Sequence, residues 1–117
     1  LLIDDTDIST QNFSVLSIDV DDFKSINNSL GLHAGDTVLI EIVRILKDIL
    51  HYEDIIARVG ADVFVILITS VNTEEKLERL INSISTNIHN DIIIDGTQLH
   101  TTVNIGIVKY PDDGVLL

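Results

Sequence analysis

Apolar residues along the chain fall into two rhythms, one of period two and one of period 3.6. In residues 13–19, Phe13, Val15, Leu16 and Ile18 are interrupted only by Ser14 and Ser17, so both faces of an extended segment are mostly apolar. Such a segment is expected in the middle of a sheet. Residues 55–68 form two arms crowded with β-branched side chains, which suit a pleated, half-buried surface. They meet at Gly60-Ala61, where glycine in first place predicts a two-residue type II′ turn. Helical spacing appears three times. Phe23 and Ile26 face inward and Lys24 outward in a short helix over 23–30, ended by Asn27-Asn28-Ser29 and Gly31. Residues 32–35 read as a turn, with Asp36 as N-cap of a helix over 37–50 whose apolar face carries Val38, Leu39, Ile42, Ile45, Leu46 and Ile49. Thr73 caps a third helix, with Glu74 and Glu75 in its first turn and Leu77, Leu80, Ile81, Ile84 and Ile88 as its buried stripe.

Segments 91–95 and 98–108 flank Asp95-Gly96, a strong hairpin signal. Gly106 within the second segment predicts close approach of another element. Residues 1–12 read as a polar loop and residues 110–114 as a turn. The order is strand, helix, hairpin, helix, strand pair. It predicts an α+β fold with a ferredoxin-like β-α-β-β-α-β core, a central antiparallel sheet and an extra hairpin.

The length, 117 residues, suits a single domain. Methionine is absent, including at position 1, so the chain is expected to be a piece of a larger multidomain protein, truncated at both ends. Cysteine is also absent, which excludes disulfides and thiolate metal sites and fits a cytosolic setting. No apolar run is long enough to span a bilayer. Nineteen acids against seven bases give a net charge of −12. That surface repels phosphate backbones and disfavours nucleic-acid binding. It also repels a free nucleotide triphosphate, so a nucleotide site needs a metal ion between acid and phosphate.

Candidate chemistry lies at the strand ends. The first strand runs into Asp19-Val20-Asp21-Asp22, and alternation places Asp19 and Asp21 on one face. Such carboxylates form either a solvated acidic turn or a site for a hard divalent cation such as magnesium. The spacing does not match an EF-hand loop. Asp62 follows the Gly60-Ala61 turn, where an acid between apolar neighbours faces water, a cation or a ligand. His33 and His51 are lone histidines expected at the surface.

Taken together, Asp19-x-Asp21-x-Phe23-Lys24-x-Ile26-Asn27, Gly31, Gly35-Asp36 and Asp54-x-x-x-Arg58-x-Gly60-x-Asp62-x-Phe64 resemble the GGDEF domain of diguanylate cyclases. Val103-x-Ile105-Gly106-Ile107 with Tyr110-Pro111 resembles that family's last core strand. The likeness runs from about Phe13 to Pro111. It implies the following roles. Asp19, the Val20 carbonyl and Asp62 hold magnesium. Asn27 and Asp36 read the guanine edge of GTP. Lys24 lies on the phosphate side, and Asp22 and Phe23 lie where main-chain amides meet phosphate. Gly60 and Ala61 form the turn against the substrate.

The signature reads Gly60-Ala61-Asp62-Val63-Phe64. Relative to the family pattern, Val63 replaces a catalytic acid and Ala61 adds a Cβ where glycine allows close approach. Leu32 stands in place of a histidine. The product-inhibition motif falls on His51-Tyr52-Glu53-Asp54 and lacks its arginine. The resemblance therefore implies a domain of a bacterial cyclic di-GMP signalling protein without cyclase activity, facing the cytoplasm. It would regulate or scaffold as a GTP-binding module, as a homodimer or beside an EAL phosphodiesterase or sensor domain. A weakly active cyclase and a purely structural interaction module are the alternatives.

Overall fold

The computed structural model describes residues 13–71 and 73–110. The order is β1 (Phe13–Val20), α1 (Phe23–Leu30), α2 (Leu32–Ile49), β2 (Ile55–Arg58), β3 (Val63–Ile68), α3 (Glu74–Asp91), β4 (Ile92–Ile94), β5 (Thr97–Leu99) and β6 (Val103–Tyr110). The main sheet runs β2-β3-β1-β6 with every pair antiparallel, and β4-β5 forms a separate two-stranded sheet. This is the expected α+β, ferredoxin-like arrangement. β1 is central, as its two apolar faces predicted. Its register places Ile18 opposite Phe64 and Ile105, and Leu16 opposite Ile66 and Ile107.

Alternation gives the sheet its core face. Leu16, Ile18, Phe64, Ile66 and Ile68 are almost wholly buried, and they join Val38, Ile42 and Leu46 of α2 and Ile84 and Ile88 of α3 in one cluster. The small hairpin packs against α2 and α3 and contributes the fully buried Ile92. Thr73 caps α3 as predicted, its hydroxyl accepting from the Lys76 amide at 3.2 Å. Asp95 and Gly96 both adopt positive φ, 51° and 81°, as a primed hairpin turn requires.

Four local expectations are corrected. Residues 32–35 are the first turn of α2 rather than a separate turn, so Asp36 is an exposed helical residue and not the cap. Gly31 takes the cap position at φ 94° and ψ 164°, a conformation essentially confined to glycine. That freedom lets a single residue, Gly31, separate the end of α1 from the start of α2. The β2–β3 connection has four residues, Val59 to Asp62, closed by the Val59 amide on the Val63 carbonyl at 2.9 Å, and Gly60 does not adopt positive φ. The segment 98–108 divides into β5 and β6 around His100, Thr101 and Thr102. Among the described residues Gly106 meets no close neighbour, since a Cβ there would find Ser17 Cβ at 3.9 Å. The expected loop over 1–12 and turn over 110–114 lie outside the described residues, apart from Tyr110 at the end of β6.

Candidate functional site

The acids at the end of β1 divide into two kinds. Asp21 is tied to β6: its amide donates to the Thr102 carbonyl at 2.9 Å, and its carboxylate accepts from Thr102 Oγ1 at 2.5 Å and Asn104 Nδ2 at 2.7 Å. Those bonds bind β1 to the start of β6 and occupy both carboxylate oxygens. Asp19 is exposed, and Asp62 is half-buried. The register sets Asp19 opposite Val63, and the Val20 amide donates to the Asp62 carbonyl at 3.1 Å. Asp19, Val20 and Asp62 therefore meet at one rim of the sheet. Among the described residues, no group of three or more metal-ligating side chains forms. Two carboxylates do match the way magnesium is commonly held, through one or two protein acids together with substrate phosphates and water.

The loop carrying Asp62 is braced by a residue to which the sequence reading gave no structural role. Arg58 Nε donates to the Gly60 carbonyl at 3.0 Å, and its Nη2 donates to the Ala61 carbonyl at 2.7 Å. An arginine two and three residues before these carbonyls is the only signal the sequence offers. Gly60 has room for a side chain, because a Cβ would meet Val63 at an ordinary 3.5 Å. Phe64 is 1% exposed and belongs to the core rather than to the site surface.

Between β1 and α1 the chain turns through Asp22, which adopts φ 54° and ψ 27°. Left-handed backbone at a residue other than glycine costs free energy and concentrates at functional turns. Asp22 makes no side-chain cap, so no capping side chain covers the first amides of α1. Phe23 is buried beneath this turn and Lys24 is exposed. Further along α1, Asn27 lies against α2 at Gly35, one residue before the exposed Asp36. Thus Asn27 and Asp36, nine positions apart across the α1–α2 corner, belong to one junction of the two helices.

The His51–Asp54 segment lies elsewhere, between α2 and β2. His51 is exposed, as is His33. The Asp54 carboxylate accepts from the amides of His51 at 3.0 Å, Thr69 at 3.0 Å and Ser70 at 3.2 Å, and from Ser70 Oγ at 2.9 Å. Four donors leave this acid committed to joining the α2–β2 loop to the end of β3. At the same end of the sheet, Lys109 of β6 pairs with Glu74 of α3 at 2.5 Å and holds that carboxyl below its ordinary range.

The family pattern "Diguanylate cyclase, GGDEF domain" matches residues 2–116. The chain belongs to the GGDEF family. It is 36% identical over 103 residues to the diguanylate cyclase TpbB of Pseudomonas aeruginosa, covering 87% of this chain and 24% of that protein. It is 35% identical over 107 residues to the bifunctional diguanylate cyclase/cyclic di-GMP phosphodiesterase MucR of the same organism, covering 89% of this chain and 15% of MucR. A crystal structure of the TpbB GGDEF domain superposes with a TM-score of 0.83 at 33% identity, over 94% of this chain and 69% of that one. The GGDEF chain thus spans about a quarter or less of these curated relatives. Among its described residues, no helix is long and apolar enough to cross a membrane.

Proposed function

We propose that this GGDEF domain is one part of a larger, multidomain cyclic di-GMP signalling protein, where it binds GTP with magnesium and regulates without making cyclic di-GMP. The observation that carries this reading is the rim at which Asp19 and Asp62 meet while Val63 faces Asp19 across the strand pair. The two acids fit a cation that neutralises triphosphate charge. Valine can neither ligate a metal nor take a proton from an attacking hydroxyl. Asn27 and Asp36 supply hydrogen-bonding groups for the guanine edge. Lys24 and the uncapped amides at the start of α1 face phosphate, where helix N-termini favour anions. Gly60 and Ala61 shape the turn beside it. No product-inhibition site is proposed at His51 and Asp54, because His51 stands where that motif has its arginine. The domain acts in the cytoplasm, as a homodimer or against a neighbouring EAL or sensor domain.

The test is calorimetric titration of GTP with magnesium into the full-length protein, with Asp62→Ala as control. Binding that disappears in the control supports the reading. Absence of binding overturns it and favours a purely structural interaction module. A weakly active cyclase is the second reading, favoured by the joint retention of Asp19, Asp62, Asn27 and Asp36. Loss of a catalytic acid typically lowers rate by roughly 10²–10⁴-fold. Cyclic di-GMP formed by the full-length protein, and abolished by Asp62→Ala, decides for it.

A further inference from the structure

Among the described residues, the buried side-chain atom without a hydrogen-bond partner is Asn27 Oδ1. It rests on α2 at Gly35. A Cβ built on Gly35 would stand 1.7 Å from Oδ1, 2.8 Å from Asn27 Cγ and 3.3 Å from Phe23 Cζ. Gly35 is buried, and its φ is not positive. Conformational freedom therefore does not account for this glycine, and glycine inside a helix is less stable than alanine. Clearance accounts for it.

We infer that Gly35 is a positioning residue, whose missing side chain seats the Asn27 carboxamide on α2 beside Asp36 and so sets the preference for guanine over adenine. The inference rests on the reading of Asn27 and Asp36 as the guanine-contacting pair. A buried acceptor without a partner is costly in the free protein. With Oδ1 lodged against α2, the Nδ2 end of the carboxamide is the end left for a ligand. The main chain supports the same seating, since the Gly31 amide donates to the Asn27 carbonyl at 2.9 Å and fixes the end of α1 against the start of α2.

Gly35→Ala separates this role from a structural one. The two atoms that would overlap the new Cβ, Asn27 Oδ1 and Cγ, belong to one rotatable side chain, and Phe23 Cζ at 3.3 Å need give by only a few tenths of an ångström, so the Asn27 carboxamide yields and the fold does not. The expected result in the full-length protein is an unchanged melting temperature with a GTP-over-ATP binding preference lowered by about tenfold, the scale of one lost hydrogen bond to a base. In an Asn27→Ala background, Gly35→Ala is expected to lower the preference no further. A native preference in Gly35→Ala overturns the inference, and so does a further loss in the Asn27→Ala background. Should the native protein show no preference for GTP, the proposed function fails. The Asn27 side-chain amide signals in a ¹⁵N-correlated NMR spectrum, assigned with Asn27→Ala, then decide the positioning. Signals that move in Gly35→Ala support it, and signals that stay overturn it.

Discussion

At the scale of single residues, the chain spends its acids in two ways. Asp21 and Asp54 are consumed by hydrogen bonds to neighbouring segments, whereas Asp19 and Asp62 are left for the rim. Asp54→Ala would remove the acceptor of the half-buried Thr69 amide, whereas water takes over at the exposed Ser70 amide, so the expected cost is that of an ordinary hydrogen bond, about 0.5–1.5 kcal/mol. We expect urea denaturation to show a loss in that range while GTP affinity is unchanged. A fall in GTP affinity at native stability would instead make Asp54 a ligand-binding residue. Glu74 tests a different term. Lys109 lowers its pKa, so the pair stabilises the native state above the ordinary carboxylate range and loses that effect as pH falls through the lowered value. Both partners lie at the surface or near it, so the effect is small and screened by salt. Melting curves of Glu74→Gln are expected to fall slightly below the native protein at neutral pH and to converge with it in acid. A gap that persists in acid would show that the pair contributes nothing electrostatic. The sequence showed the acids but not this division, because, the His51 amide apart, the donors to Asp21 and Asp54 lie 81 and 83 or 15 and 16 residues away.

At the scale of elements, periodicity identified the strands and helices wherever one face is buried over several turns or pleats. β1, α3 and the core stripe of α2 were legible for that reason. The start of α2 was not. Gly31 and Gly35 suggested a turn, yet Gly31 alone makes the corner and Gly35 lies within the helix, kept small by Asn27. The β2–β3 loop was misread for a related reason: glycine signalled positive φ, but Arg58 holds the loop from outside by bonding two of its carbonyls. The division of β5 from β6 had no local signal, because Thr101 and Thr102 are good strand residues. The end of α3 offers the direct check on an element read correctly. Thr73→Ala removes the acceptor for the Lys76 amide, and such N-caps are worth about 1 kcal/mol. Thr73→Ser should keep most of that in urea denaturation. Equal loss in both variants would mean that threonine contributes through packing and not as a cap.

At the scale of the molecule, charge decides how the site can work. The net charge is −12, and among the described residues Arg44, Arg79 and Lys109 already pair with acids. In the proposed function a triphosphate at the rim faces the two negative charges of Asp19 and Asp62 against the single positive charge of Lys24. Two like charges about 4 Å apart repel by about 1 kcal/mol in water and about 4 kcal/mol at a protein surface. Removal of the cation between them should therefore weaken GTP binding by about fivefold to a thousandfold. We expect GTP titrations with magnesium to show binding and matched titrations with EDTA to show it lost to that degree. Asp19→Asn removes one of the repelling charges and is expected to narrow the gap between the two titrations, weakening binding with magnesium while easing it without. GTP affinity indifferent to EDTA would mean that the phosphates do not face these acids. The cation site at the end of β1 would then be wrong, while the fold and the family would stand.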